Sequence, residues 1–229
     1  MLDKASKSLS ADIAREPLRV WDWPVRIFHW SIVSLVIAAY VTSRYNWMTW
    51  HVRLGQLILT LLIFRVLWGF WGSDTARFGR FLARPSIALA HIRGFFSHPG
   101  ATHVGHTPAG GWMVVVLIFV LSAQVLTGLY VYNDVARVGP LFGIFSADTL
   151  NTLVSAHGIL FTLLLLFVTI HIAVVALYWI VKRQNLVRPM TTGIQYLPPG
   201  FEKPRIMSAR RALLLFLCSV IIATLIGQL

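Results

Sequence analysis

The sequence predicts an all-α integral membrane bundle, and three observations support this class. Of the 229 residues, 57% are hydrophobic and only 12% are charged, about half the charged share of an ordinary soluble domain. The apolar residues form continuous blocks of about the length that a helix needs to cross a bilayer. The chain has a single cysteine, Cys218, which excludes a disulfide scaffold, an iron–sulfur cluster and a structural zinc site built on cysteines.

Five apolar blocks define the predicted spans, which are numbered here in chain order. They cover residues 27–43, 54–71, 112–131, 153–181 and 212–229. The first is short, so we expect it to include a turn from its flanks. The fourth exceeds the roughly 20 residues that a span requires, so we expect it to tilt or to project into the cytoplasm. Residues 1–19 are polar and predict a cytoplasmic N-terminal segment rather than a cleaved signal peptide.

The basic residues indicate how the spans are oriented, because Lys and Arg are enriched in cytoplasmic loops. Sixteen of the twenty, including Lys4 and Lys7, lie before span 1, between spans 2 and 3, or between spans 4 and 5. The opposite side has Arg44, Arg53 and Arg137. The sequence therefore predicts a cytoplasmic N-terminus and an outer C-terminus. The basic residues of the cytoplasmic loops account for the net charge of +12, so no nucleic-acid partner is expected.

Four of the eight histidines lie within or at the edge of predicted spans, where ligating side chains are costly and often functional. They are His29, His51, His157 and His171. His157 and His171 are 14 residues apart in span 4. On a helix they face within about 40° of each other and lie about 21 Å apart along the axis. A lone histidine in a span is more often a hydrogen-bonding residue between helices, but four at matched positions indicate a shared role.

The depth of each histidine follows from the alternating direction of the spans. His29 and His171 fall in the cytoplasmic half, and His51 and His157 fall in the outer half. Two imidazoles that face each other across a helical bundle can bind the iron of a b-type haem from both sides. The sequence therefore predicts a four-helix haem-binding core plus a fifth C-terminal transmembrane helix, with these histidines as the axial ligands of two haem irons. Such a haem has no open position for a substrate, so it favours electron transfer and no catalytic residue is predicted.

Three arginines are candidates for contacts with the anionic haem propionates. Arg26 precedes His29 by one helical turn, Arg53 follows His51 by two residues, and Arg65 lies inside span 2. Arginine forms charge-assisted hydrogen bonds with carboxylates. A basic residue near a span end also serves topology, and Arg65 could instead extend to the interface. The sequence supports both interpretations equally.

Four further histidines lie in the cytoplasmic loop between spans 2 and 3: His91, His98, His103 and His106. Their spacings match no zinc-binding pattern, and no carboxylate or cysteine lies among them. We therefore expect no metal site in this loop.

Several motifs resemble those of the bacterial cytochrome b561 family, in the branch of cytochrome b subunits of nickel–iron hydrogenases. They are VWDWPVRIFHW at 20–30, WHVRLG at 50–55, FRVLWGFWG at 64–72, GHTPAGGW at 105–112 and KRQNLVRPM at 182–190, with His157 and His171. The resemblance covers about residues 19–193. It implies four helices that hold two b haems through the four span histidines and exchange electrons between a membrane quinone and a redox partner. The resemblance assigns no function to the motif at 105–112, for which a propionate or quinone contact by His106 is one candidate.

We therefore expect a di-haem cytochrome b of the bacterial inner membrane. It would exchange electrons between ubiquinone or menaquinone and a periplasmic or membrane-attached cytochrome or dehydrogenase, as the quinone-reactive subunit of a larger complex. Residues 20–193 would form the di-haem domain, and residues 194–229 a cytoplasmic linker and span 5.

Two alternatives belong to other functional classes. A haem-free transporter would use the histidines of span 4 as a proton or metal path, but the predicted spans contain no Asp or Glu. A membrane anchor subunit would leave the redox chemistry to its partner, and the matched depths of the four histidines would then be unexplained. A reduced-minus-oxidised visible spectrum distinguishes all three.

Overall fold

The computed structural model describes residues 15–97, 103–131, 140–141 and 145–228. Four residues named above lie outside the described residues: Lys4, Lys7, His98 and Arg137. Most of the predicted N-terminal segment, residues 1–14, also lies outside them.

Eight α-helices, one 3₁₀ turn and two short strands make up the described parts of the chain. In order they are β1 (Glu16–Arg19), α1 (Trp23–Arg44), α2 (Met48–Trp71), the 3₁₀ turn (Asp74–Ala76), α3 (Phe78–Phe81), α4 (Pro85–Arg93), α5 (Pro108–Gly128), α6 (Ala147–Lys182), α7 (Val187–Thr192), β2 (Ile194–Leu197) and α8 (Ala209–Gln228). Five helices, α1, α2, α5, α6 and α8, are long and apolar enough to cross a membrane. They correspond to predicted spans 1–5, so the predicted helical membrane bundle is confirmed.

All five helices begin earlier than hydropathy predicts, and α2 and α6 differ most from the prediction. α2 begins at Met48 and α6 begins at Ala147, each six residues before its apolar block. The first turns of α6 contain the exposed residues Asp148 and Asn151, which a hydropathy pattern omits although an exposed helical turn tolerates them. His51 consequently lies inside α2. The 36 residues of α6 correspond to a helix about 54 Å long.

The spanning helices pack mainly in pairs. α1 packs on α2 and α5 packs on α6, while α2 also contacts α5 and α8. The shared core includes Ile58 and Leu62 of α2, Val125 of α5, Leu164 of α6 and Ala223 of α8. The fifth helix is therefore part of the bundle. Among the described residues, α6 packs closely against α5, whereas its backbone stands away from α1 and α2.

A two-stranded sheet closes the end of the bundle that the basic residues assign to the cytoplasm. β1 and β2 pair antiparallel, with Leu18 opposite Gln195. Side chains of the sheet, the loop before α1 and the end of α2 form a second core, which includes Trp21, Trp68 and Leu197. The strands were not predicted, because four residues are too few to display a clear alternation. The sheet brings the segment before α1 next to the segment before α8.

Asp22 is a buried carboxylate in this second core, with only 2% of its surface exposed. It accepts hydrogen bonds from the Val25 backbone N–H and from Trp68 Nε1, both at 2.9 Å, and so caps α1 and links it to α2. The buried Arg65 is close enough to be attracted to this carboxylate. Arg65 Nη1 donates to the Ala76 carbonyl at 3.3 Å. A polar network thus joins α1, α2 and the 3₁₀ turn.

Candidate functional site

The structure brings His29 and His171 together at the end of the bundle that the basic residues assign to the cytoplasm; we call them the inner pair. His29 lies in the second turn of α1, and His171 lies on α6 eleven residues before its end at Lys182. Their ring centres are 6.4 Å apart, and the ring planes are inclined by 57°. His29 Nδ1 is buried and has no hydrogen-bond partner among the described residues.

His51 of α2 and His157 of α6 meet nearer the other end of the bundle; we call them the outer pair. Their ring centres are also 6.4 Å apart, with planes at 83°. His51 Nδ1 lies 2.8 Å from the Ala39 carbonyl oxygen. That oxygen can only accept, so Nδ1 carries the proton and Nε2 is the nitrogen that can bind a metal.

The separation within each pair fits two ligands of one iron. With a metal–nitrogen bond of about 2 Å and a ring centre about 1 Å beyond that nitrogen, two imidazoles on opposite sides of one metal have centres about 6 Å apart. Both pairs are at 6.4 Å. The backbone of α6 also stands away from α1 and α2, which separates the helices that carry the paired histidines. The residues present therefore fit a haem at each pair.

A seam of α5 holds His157, and its two polar residues, Gln124 and Thr127, were not identified from the sequence. Gln124, Thr127 and Gly128 all contact the His157 ring. Gln124 and Thr127 supply its hydrogen-bond partners, and Gly128 provides the space for the ring. The sequence did contain a signal for Gln124, because a side-chain amide inside an apolar span is energetically costly unless it has a polar partner.

Gly128→Ala is expected to remove the outer haem and leave the inner haem in place. A Cβ at Gly128 would lie 2.9 Å from His157 Cε1, so either the ring or α5 must shift and the ligand loses its alignment. Haem content and the visible spectrum measure the effect. Gly158→Ala is the matched control, because it adds the same methyl group next to His157 with nothing within 4 Å. Equal haem loss in both variants, or full outer haem in Gly128→Ala, would contradict this role of Gly128.

The three predicted arginines occupy different environments. Arg26 is half-buried near the inner pair, and its Nη1 donates to the Thr191 carbonyl at 2.5 Å. Arg65 is buried, with its guanidinium carbon 5.2 Å from the centre of the Phe78 ring. Arg53 is exposed and lies over the Trp50 ring. Arg65 therefore does not extend to the surface, and two of the three arginines lie on the side of the inner pair.

His106 lies at the same end of the bundle as the inner pair and packs between aromatic side chains. Its ring centre lies 4.4 Å from that of Phe81 and 4.6 Å from that of Trp21. Burial lowers the pKa of His106 to about 3, and the nearby charge of Arg65 adds to this shift, while a hydrogen bond with the Thr75 backbone opposes it. His106 is therefore neutral at physiological pH. Its Nδ1 is buried without a hydrogen-bond partner in the described parts of the chain.

A cavity of about 250 Å³ opens beside His106 on the same side of the bundle. Its lining includes Arg80, Phe81, His103 and Lys203. His103 Nε2, like His106 Nδ1, is buried and unpartnered among the described residues. The cavity therefore offers neutral hydrogen-bonding groups, two cations and two carboxylates, Asp74 and Glu202.

The other loop histidines form a separate group. His91 and His103 have ring centres 5.8 Å apart, and His91 Nε2 lies 3.2 Å from the Tyr178 hydroxyl. Burial is the main cause of a lowered pKa at both His91 and His103. Within the described residues, no three His, Cys, Asp or Glu side chains are placed to hold a metal ion, and His98 lies outside them.

Replacing His91, His98 and His103 together with alanine is expected to leave haem content and the visible spectrum unchanged. His91 and His103 contact each other, and His91 contacts the Tyr178 hydroxyl, rather than either pair. Metal analysis of the purified variant checks the expectation. A fall in iron or zinc per chain would show that the loop is a metal site.

The model of the family described as "Prokaryotic cytochrome b561" matches residues 20–193. Three similar curated proteins share the description "Probable Ni/Fe-hydrogenase B-type cytochrome subunit". The one from Rhizobium leguminosarum bv. viciae is 27% identical, covering 79% of this chain and 90% of the relative. The one from Bradyrhizobium diazoefficiens is 25% identical (79% and 87%), and that from Cupriavidus necator is 21% identical (76% and 85%). No solved structure matches.

Proposed function

Because the chain belongs to the prokaryotic cytochrome b561 family, we propose that it holds two b-type haems and carries electrons across the membrane between the quinone pool and a redox partner. Membership of the family makes it a multi-pass membrane cytochrome of the b type that takes part in electron transport. Family membership does not by itself give the number of haems, the quinone or the redox partner, so these three points are proposals.

The inner pair would hold one haem and the outer pair the other. When bound, each haem would supply a one-electron carrier, and the two histidines of its pair would hold the iron. The single observation that carries the proposal is the recurrence of the same 6.4 Å ring separation at two depths of one bundle. The two sites share α6, on which His157 and His171 are about 21 Å apart along the axis.

Arginines would balance the propionate charges of the two haems. Arg26 and Arg65 lie on the side of the inner pair, and the hydrogen bonds to Thr191 and Ala76 orient their guanidinium groups. Arg53 is exposed near the outer pair. A buried arginine favours the more negative state of a neighbouring group, so Arg65 should stabilise the reduced inner haem.

The quinone headgroup would approach the inner pair through the cavity beside His106. His103 Nε2 and His106 Nδ1 are buried there without partners in the described residues, and neutral imidazoles can hydrogen-bond to quinone oxygens. The quinone would then bind on the cytoplasmic side of the membrane.

The partner would be the rest of a redox complex. The similar proteins are described as cytochrome subunits of Ni/Fe hydrogenase, which favours a hydrogenase or a comparable dehydrogenase on the outer side. We further place the protein in the bacterial inner membrane with its N-terminus in the cytoplasm, on the basis of the sixteen basic residues assigned to that side. A transporter is disfavoured, because Asp148, exposed in the first turn of α6, is the only Asp or Glu in the described spanning helices.

Quinol-driven reduction of the purified chain in lipid vesicles tests this function. A short-chain quinol is expected to reduce the haem and produce the absorption bands of reduced cytochrome b, and dithionite defines complete reduction. Bands with dithionite but none with either ubiquinol or menaquinol analogues would rule out the quinone as the direct donor. Absence of bands with dithionite would rule out the haem function itself.

A further inference from the structure

Gln124 makes two contacts with a single imidazole. Its main-chain oxygen lies 2.9 Å from His157 Nδ1, and its side-chain nitrogen lies 3.0 Å from His157 Nε2. The side chain is buried within the apolar α5. Its other polar atom, Oε1, is buried and has no hydrogen-bond partner among the described residues. The Gln124 amide therefore hydrogen-bonds to His157 through its nitrogen, while its oxygen has no partner among the described residues.

These contacts select one tautomer of His157. A carbonyl oxygen can only accept a hydrogen bond, so Nδ1 carries the proton. The Thr127 hydroxyl, 3.2 Å from Nδ1, donates towards the Ala123 and Gln124 carbonyls, so it also accepts from Nδ1. Nε2 is then unprotonated and accepts from the Gln124 amide. An unprotonated nitrogen is the form of imidazole that binds a metal.

We propose, building on the proposed haem function, that Gln124 is a positioning residue that controls loading of the outer haem. Its main-chain oxygen holds His157 in the tautomer that can ligate iron. Its side-chain amide donates to Nε2, the nitrogen that would bind the iron. The amide would therefore compete with iron for Nε2 and oppose haem binding by the strength of one hydrogen bond.

The outer site can be isolated in the full-length chain that carries His29→Ala, which removes one ligand of the inner pair. This parent chain is produced under haem limitation, purified in detergent and titrated with haemin while the absorbance of bound haem is followed. Gln124→Leu keeps the main-chain oxygen and a side chain of similar size but removes the amide. We expect it to bind haemin about fivefold more tightly, the ratio that corresponds to one ordinary hydrogen bond.

Gln124→Glu provides the opposite test of the same idea. An ionised carboxylate only accepts hydrogen bonds, so beside Nε2 it favours a proton on that nitrogen. The iron must then compete with this proton. We expect haemin to bind about fivefold more weakly than to the parent chain.

Gln56→Leu is the matched control. Gln56 is a half-buried glutamine of α2 whose amide lies against α8 near Gly227, so the same change there should leave haemin binding unaltered. A side chain with a packing role alone would weaken binding in both Gln124 variants or alter it in neither, and either result would overturn the proposal. Failure of the haem function is seen separately, because the parent chain with Gln124 intact would then bind no haemin in stoichiometric amount.

Discussion

His171→Ala is expected to remove the inner haem while the outer haem stays, so that haem content falls from two to one per chain. The two imidazoles of the inner pair come from α1 and α6 and meet at 6.4 Å. Loss of one leaves an iron with a single protein ligand and an open position, and a b-type haem has no covalent attachment to retain it. Any haem that remains should be high-spin. Haem per chain and the visible spectrum measure both effects.

His29→Ala should match His171→Ala spectrally, because both remove a ligand of the same iron. The double variant should be no worse than either single variant, since members of one site act as a unit and their effects are not additive. His51→Ala should remove the other haem and leave a different spectrum. If His29→Ala and His51→Ala removed the same haem, the proposed pairing would be wrong.

Asp22→Ala is expected to lower the free energy of unfolding by about 3 kcal/mol. Loss of a helix N-cap costs about 1 kcal/mol, and a buried Trp68 N–H without its acceptor costs about 2 kcal/mol. The buried Arg65 also loses a nearby opposite charge. Unfolding of the purified chain in detergent micelles measures the change.

Asp22→Asn is the matched comparison for this prediction. Asparagine keeps an oxygen that can accept from Val25 N–H as a helix cap but lacks the second oxygen that accepts from Trp68, so its effect should be smaller than that of alanine by about 1 kcal/mol. Asp148→Ala, which removes an exposed carboxylate of α6, should alter stability by less than about 0.5 kcal/mol. An Asp22→Ala protein as stable as Asp148→Ala would contradict the structural role of the polar network.

The spanning helices could be predicted because bilayer thickness sets their length and hydrocarbon sets their composition. The same constraint allowed the depth of each histidine in the bilayer to be predicted. The structure brings together the histidines that were predicted at the same depth, His29 with His171 and His51 with His157. The first residues of the helices were predicted less accurately. At the outer end of α6 the helix continues through Asp148 and Asn151, which hydropathy does not recognise.

The polar groups around the histidines could not be predicted, since each depends on contacts between segments distant in sequence. Asp22 before Trp23 and Pro24 carries an N-cap signal, but its hydrogen bond with Trp68 exists only in the folded bundle. Gln124 is visible as an amide in an apolar span, yet nothing local shows that it faces His157. The environment of His106 could not be predicted either, because its low pKa comes from burial against Phe81 and Trp21 and from the charge of Arg65.

The reduced-minus-oxidised visible spectrum of the purified chain, combined with its haem-to-protein ratio, tests the central claim most directly. Two low-spin b-type haems per chain are predicted, one for each pair of histidines at 6.4 Å. A ratio of one, or a protein that is folded and lacks b-type bands, would contradict the account.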